Sequence, residues 1–148
     1  MHTPVRVSRW ARAVSFALCV IATALVEGAE VPAPRVALKG YDTVAYFTEG
    51  RPVKGAPGFH HDWDGARYHF ASAQSRDAFA ADPDRYAPQF SGLCAASLSK
   101  GKIVDADPTL WKIVGDKLYV FGAAAGLAMA ERDPSLLQRS NENWRSQR

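Results

Sequence analysis

The stretch "FHHDWDGARYHFASAQSRDAF", residues 59–79, decides the fold of this chain. Asp64-Gly65 is a strong signal for a two-residue hairpin turn, because both residue types tolerate the positive φ that such turns need. The alternating side chains on either side predict two antiparallel strands. Ser72 then predicts the N-cap of a helix, which Pro83 limits. The stretch therefore predicts a β-hairpin followed by a helix.

The turn also fixes which residues of the two strands face each other. Counting outward from it places His60 opposite His69 and Phe59 opposite Phe70. Because side chains alternate between the faces of a strand, one face is predicted to be polar and the other to join the core. The predicted core face carries Phe59, His61, Trp63, Tyr68 and Phe70. The predicted polar face carries His60, Asp62, Arg67 and His69.

A similar pattern recurs 51 residues later, where a second hairpin turn is predicted at Gly115-Asp116. The identities at this offset fall on strand-end aromatic residues and on the signal that ends the helix. They are Pro57 and Pro108, Tyr68 and Tyr119, Phe70 and Phe121, Ala73 and Ala124, and Asp82-Pro83 and Asp133-Pro134. We predict an internal duplication of one hairpin-helix unit. Each unit is too small to bury a core alone, so the prediction is a single small α+β domain in which both units share one core.

Two short helical segments are predicted near these units. Asp42 predicts the cap of a helical turn that ends near Gly50. The stretch "SGLCAASLSKGK", residues 91–102, predicts a short helix with Ser91 as its N-cap. Cys94 would then occupy the third position of that helix.

The first 29 residues have the layout of a secretory signal peptide. Three arginines precede an apolar run over residues 13–26, and small residues follow it. The run is too short for a comfortable membrane span, although an uncleaved N-terminal anchor is the alternative. We predict a signal peptide over 1–29, an extended leader over 30–37 and the folded domain over 38–145. The mature protein would be secreted, or periplasmic in a Gram-negative bacterium, with no membrane span.

Charge and cysteine content narrow the function classes. The full chain has a formal net charge of +3, but the predicted signal peptide contributes much of it and leaves the remainder close to neutral. No basic run with interleaved aromatic residues remains, so a nucleic-acid partner is not expected. Cys94 would be the single cysteine of the mature chain. An internal disulfide is then excluded, and the fold must depend on its core.

Three stretches carry a resemblance to a known family: "GYDTVAYFTEGRPVKG" at 40–55, "DGARYHFASAQSRDAFAADPDRYAPQFSGLCA" at 64–95 and "GKIVDADPTLWKIVGDKLYVF" at 101–121. They resemble the YHS domain family, especially its exported stand-alone members. The resemblance runs from about Leu38 to Trp144. It implies binding of copper or similar ions through cysteine thiols.

This chain departs from the family pattern at each of the thiol positions. Ala45, Ala71 and Ser75 stand where metal-associated relatives have cysteines. Alanine has no donor atom, and a serine hydroxyl is a poor ligand for the soft ions that thiolates select. The resemblance therefore implies that the scaffold is kept while the thiolate site is lost.

His60 and His69 are the first candidates for a replacement metal site. Directly opposite positions on antiparallel strands hold their Cβ atoms roughly 4.5–5.5 Å apart. Two imidazoles at that distance suit Cu²⁺ or Zn²⁺. Asp62 lies on the same predicted face as a third ligand, although Arg67 opposite it would compete as an ion-pair partner. The alternative is an exposed pair of histidines without a role.

Cys94 is the next candidate. In the first turn of a helix its thiolate form would be favoured, which suits a redox or metal-binding thiol. The alternative is that Cys94 is a small buried apolar side chain. A third ligand set joins Cys94 to one or both histidines. The candidate ligands are thus His60, His69 and Cys94, for copper or zinc.

The sequence contains no paired carboxylates, Ser-His-Asp arrangement or glycine-rich phosphate motif, so we expect a protein that is not an enzyme. The leading hypothesis is an exported binding or accessory module that handles a transition metal such as copper. One alternative is a thiol redox protein centred on Cys94. Another is an interaction module for a periplasmic protein that has kept the fold without the metal site. The many aromatic residues are mostly expected in the core, and they leave open an aromatic groove for a small ligand or peptide.

Overall fold

A computed structural model describes residues 33–147 of the chain, and the predicted signal peptide, residues 1–29, lies outside them. The strands are β1 (Arg35–Val36), β2 (Ala56–Trp63), β3 (Ala66–Phe70), β4 (Asp107–Val114) and β5 (Lys117–Phe121). The helices are α1 (Ala45–Thr48), α2 (Ala73–Ala81), α3 (Pro83–Tyr86), α4 (Ala95–Leu98), α5 (Ala124–Arg132) and α6 (Ser135–Ser146). Two 3₁₀ turns cover Ala37–Gly40 and Gln89–Gly92.

Both predicted hairpins form at the predicted turns. At the first turn Asp64 and Gly65 have φ of 46° and 73°, and at the second Gly115 and Asp116 have φ of 55° and 58°. Positive φ at both central positions gives the turn the twist that antiparallel strands need. The β2–β3 hairpin gains β1 as a parallel neighbour of β3, whereas β4 and β5 form a separate two-stranded sheet. The predicted α+β class is confirmed.

The two hairpin-helix units repeat each other element by element. We call β2, β3 and α2 the first unit and β4, β5 and α5 the second. Every element of the second unit begins and ends 51 residues after its counterpart. Ser72 caps α2 as predicted, since its side chain accepts a hydrogen bond from the amide of Ser75 at 3.1 Å. Duplication as the origin of this repeat stays a prediction.

The predicted pairing of Phe59 with Phe70 is wrong. The register holds from Trp63 back to His60, but Ala56 is the residue that pairs with Phe70. Pro57 lies in the interrupted segment, and proline has no amide hydrogen to donate to a strand ladder. Phe59 is therefore displaced from the predicted core face and is 37% exposed.

The predicted helix over 91–102 begins later than expected. Ser91 does not cap it but has φ of 54° within the 3₁₀ turn before Gly92. Cys94 takes the N-cap position of α4 instead of its third residue. The segment Leu38–Gly40 has the same succession of two left-handed residues and a glycine. The third position of both turns is a glycine, because a φ near 80° costs least for a residue without a Cβ atom.

Three clusters of buried apolar side chains make up the core. One surrounds Phe79 in the first unit, and another surrounds Phe121 in the second. The third cluster joins α1 to the second unit, because Tyr46 packs there with Leu118 of β5. The Tyr46 hydroxyl also donates a hydrogen bond to the carbonyl of Pro108 at 2.8 Å. The residues of this cluster all lie outside the first unit, so a core shared by both units stays a prediction.

Within residues 33–147, no helix has both the length and the apolar character needed to cross a membrane.

Candidate functional site

His60 and His69 face each other across the first hairpin, as their register predicts. Nδ1 of His60 lies 2.8 Å from the carbonyl oxygen of Pro57, which can only accept, so this nitrogen carries the proton. The lone pair of His60 is therefore on Nε2, free for another partner. A ligating imidazole is commonly fixed in this way through its second nitrogen.

Asp62 does not complete this pair as an available third ligand. Its two carboxylate oxygens accept hydrogen bonds from the Arg67 guanidinium at 2.7 and 2.8 Å. The Arg67 hydrogen bond lowers the pKa of Asp62, with the positive charge of Arg67 contributing in the same direction. A metal ion would have to displace this bidentate partner. The hairpin by itself offers two nitrogen donors, and solvent would fill the remaining coordination positions.

His69 is the more enclosed of the two imidazoles. Gly40 borders it so closely that a Cβ atom there would lie 3.1 Å from Nδ1 of His69. Burial is the main cause that lowers the pKa of His69, and the nearby His60, Arg67 and Lys54 lower it further. The neutral imidazole, which is the metal-binding form, therefore predominates at neutral pH.

The lowered pKa of His69 predicts a measurable pH dependence. In an NMR titration of the histidine rings, His69 is expected to titrate below the ordinary value of about 6.5. The unfolded chain then binds more protons between the two pKa values, so the contribution of His69 to stability is present above about pH 6.5 and is lost as the pH falls through this window. High salt should raise the pKa of His69 only in part, because desolvation is the largest cause. A pKa of His69 above 6.5 would contradict the enclosed position of this ring.

The positions of the family thiols lie together near the first turn of α1 and the start of α2. Ala45 is fully buried, whereas Ala71 is exposed. Beside them is a cavity of about 250 Å³ whose lining includes Ser75, Ser72 and Glu49. The hydroxyl groups of Ser72 and Ser75 lie 3.3 Å apart. Hard oxygen donors line this cavity where soft thiolates would be needed for copper.

Asp42 organises this region. Its side chain is fully buried, and one oxygen accepts hydrogen bonds from the amides of Val44 and Ala45 at 2.9 and 3.3 Å. The other oxygen accepts from the amide of Ala71 at 2.9 Å. The carboxylate thus ties the start of α1 to the end of β3. The sequence predicts Asp42 as a helix cap but gives no sign of the long-range bond.

Comparison with known families decides the identity of this segment. The model of the YHS domain matches residues 44–90. This match confirms the resemblance to the YHS domain family over residues 44–90. The match spans the first unit, including His60 and His69, and Cys94 lies outside it. Searches of curated proteins and of solved structures gave no match.

Cys94 and Asp42 occupy equivalent positions, since Asp42 lies ahead of the first unit and Cys94 lies ahead of the second. The amide of Asp42 donates to the carbonyl of Val53 at 2.8 Å, and the amide of Cys94 donates to that of Val104 at the same distance. Each residue also precedes a four-residue helix, α1 or α4. The segment from Asp42 to Val53 is one residue longer than that from Cys94 to Val104, so this equivalence falls outside the constant offset of 51. For that reason the sequence comparison misses it.

The thiol of Cys94 is buried, with 3% of the residue exposed. It borders a cavity of about 380 Å³ that is also lined by Met129, Lys100 and Lys102. A helix of only four residues has a small dipole, so the predicted stabilisation of the thiolate by α4 is weak. Small residues leave this space open: a Cβ atom at Gly122 would come within 3.6 Å of Sγ.

The structure brings two of the three predicted ligands together. His60 and His69 are cross-strand neighbours in the YHS domain, whereas Cys94 belongs to the core cluster of the second unit. Among residues 33–147, no three His, Cys, Asp or Glu side chains are grouped so that they could hold one metal ion. Any metal site on the hairpin therefore depends on two imidazoles.

Proposed function

We propose that this protein is an exported, non-enzymatic module that binds a transition-metal ion, Cu²⁺ in the first place, through His60 and His69. YHS domains are associated with the handling of metals such as copper. The observation that carries the proposal is the direct opposition of the two imidazoles, with Nε2 of His60 free for a metal. Export rests on the arginine-rich start and the apolar run that follows it.

The donor set favours Cu²⁺ over the other ions that the family suggests. Two neutral imidazoles with open positions suit Cu²⁺, which accepts nitrogen ligands and solvent in a tetragonal arrangement. A structural Zn²⁺ site needs four protein ligands, and the hairpin provides two. Cu⁺ prefers thiolates, which the family positions Ala45 and Ala71 lack.

Calorimetric titration of the purified protein with Cu²⁺ tests this proposal. We expect one saturable site with a Kd of about 1 μM or below, equivalent to about −8 kcal/mol. His60→Ala and His69→Ala should each abolish that site, because one imidazole alone is a weak ligand. His61→Ala is the matched control, since His61 points to the other face and stacks on Phe79 with ring centroids 5.9 Å apart.

Other outcomes of the titration would count against the proposal. Binding that survives both single-histidine variants, or that disappears in His61→Ala alone, would place the site elsewhere. If Cys94→Ser loses binding while His60→Ala and His69→Ala both retain it, the metal would be assigned to the cluster around Cys94. Absence of saturable binding would leave a YHS fold that has lost its metal.

A thiol redox role centred on Cys94 is the second candidate. It is favoured by the cavity beside the thiol, where Lys100 and Lys102 provide positive charge. Such a thiol should react rapidly with iodoacetamide at neutral pH in the folded protein, and both histidine variants should leave the rate unchanged. A rate as slow as expected for an enclosed thiol would show that Cys94 is a core residue.

A further inference from the structure

Two adjoining cavities lie apart from the histidine pair and from Cys94. The first has a volume of about 350 Å³ and the second of about 700 Å³. They share Gln89, Lys117 and Trp144 in their linings, so we treat them as one cleft with two halves. Residues from both hairpins and from α6 contribute to it.

A buried tyrosine stands at the equivalent position in each half. Tyr68 lines the first cavity and Tyr119, 51 residues later, lines the second. They are 2% and 5% exposed, and no hydrogen bond to either hydroxyl is formed within residues 33–147. In that part of the chain only Thr43 has a fully enclosed side-chain oxygen without a partner. The two tyrosine hydroxyls therefore reach open space, which for these side chains is the cleft.

Both hydroxyls are suited to hydrogen-bond a ligand. Burial raises the pKa of Tyr68 to about 12, while the positive charge of Arg35 lowers it and the negative charge of Asp64 raises it by smaller amounts. The phenol stays protonated at neutral pH and can both donate and accept. A ligand group that pairs with either hydroxyl replaces water there, so each such bond contributes a modest net free energy.

Aromatic rings form the walls of the cleft. Trp63 packs against Tyr68 with ring centroids 6.2 Å apart, and Trp144 packs against Phe90 at 6.1 Å. Both tryptophans are half-buried. A ligand that fits here needs a flat apolar surface in addition to hydrogen-bonding groups.

Charges of both signs border the cleft and leave it without a dominant field. Asp64 and Asp84 lie beside the first cavity, Glu142 and Arg145 beside the second, and Lys117 beside both. An anion and a cation would each meet a like charge, which disfavours strongly charged ligands. Neutral groups can instead accept from Lys117 and donate to the carboxylates.

We propose that this cleft binds a short neutral oligosaccharide, with one sugar ring in each half. A sugar ring has an apolar face of C–H groups, which suits the indoles, and a rim of hydroxyl groups, which suits Tyr68, Tyr119 and the side chain of Gln89. The repeated tyrosine in two joined cavities fits a ligand that itself repeats. The proposal does not depend on the metal site.

Titration of the full-length protein with chitotetraose, cellotetraose and maltotetraose tests the proposal. We expect saturable binding of at least one of them, with a change in tryptophan fluorescence from Trp63 or Trp144. Tyr68→Phe and Tyr119→Phe should each weaken binding about three- to tenfold, the effect of one lost hydrogen bond. Tyr86→Phe is the matched control, because Tyr86 lies outside the cleft lining and stacks on Phe47 at 5.4 Å.

Three results would overturn the proposal. One is the absence of binding to all three sugars up to about 10 mM, a limit of about −3 kcal/mol. Another is binding that neither Tyr68→Phe nor Tyr119→Phe weakens, provided that circular dichroism shows both variants folded. The third is tighter binding of choline than of any sugar, which would make the cleft an aromatic cage for cations. His60→Ala and His69→Ala should leave sugar binding unchanged, which separates this test from that of the metal site.

Discussion

Asp42→Ala is expected to lower the free energy of unfolding by about 3–5 kcal/mol, because the change leaves buried amides without partners. The carboxylate accepts from three amides, those of Val44, Ala45 and Ala71. Each orphaned amide costs about 1–3 kcal/mol, and partial relaxation of α1 returns some of that cost. Urea denaturation followed by circular dichroism measures the difference.

Two matched variants make the result for Asp42 interpretable. Asp42→Asn keeps one acceptor oxygen and is expected to cost less than Asp42→Ala. Asp62→Ala removes a carboxylate whose side chain is 51% exposed in its ion pair with Arg67, so its effect on the free energy of unfolding should be much smaller than that of Asp42→Ala. If Asp42→Ala costs no more than Asp62→Ala, the amides find other partners and the carboxylate does not hold α1 to β3.

The sequence predicts the parts of this fold that depend on local chemistry. Asp64-Gly65 fixes the hairpin register near the turn because those residues tolerate positive φ, and the pairing of His60 with His69 follows directly. Ser72 caps α2 for an equally local reason, since its side chain reaches the amide of a residue three positions later.

The errors arise where the chain departs from a regular repeat. Strict alternation along β2 predicts that Phe59 faces the core. The irregular register between Ala56 and His60 places it outside the core instead. Ser91 has the side chain of an N-cap, yet the local backbone is a left-handed turn that copies Leu38–Gly40. The propensity of a residue describes which conformations it favours, whereas the surrounding tertiary structure decides which of them forms.

The candidate site also has some features that the sequence predicts and others that depend on the tertiary structure. The opposition of His60 and His69 follows from the turn, but the proton on Nδ1 of His60 depends on a carbonyl that only the irregular strand brings close. The equivalence of Cys94 and Asp42 needs the tertiary structure, because the segment that follows Cys94 is one residue shorter than the segment that follows Asp42. The cleft needs Tyr68 and Tyr119 together with α6, which is distant in sequence from both. The sequence leaves an aromatic groove open but cannot place it.

Phe79→Ala is expected to destabilise the protein by about 3–5 kcal/mol, the cost of a large cavity in a packed core. Phe79 is fully buried. The centroid of its ring lies 4.6 Å from that of Tyr68, 5.1 Å from that of Phe70 and 6.1 Å from that of Trp63. The variant therefore removes the contact that joins α2 to the hairpin. Urea denaturation again gives the difference in unfolding free energy.

Phe59→Ala makes the same chemical change on the same unit and is expected to cost less than about 0.5 kcal/mol, as surface substitutions usually do. The contrast between the two variants tests the irregular register of β2, because a regular strand would place Phe59 on the core face beside Phe70. Equal destabilisation by Phe59→Ala and Phe79→Ala would show that the regular pairing forms in solution. His60 would still face His69 in that case, but Pro57 would pair in the regular ladder. The carbonyl of Pro57 would then no longer accept a hydrogen bond from Nδ1 of His60. Without that bond, nothing would fix the proton on Nδ1 and leave Nε2 free for a metal ion.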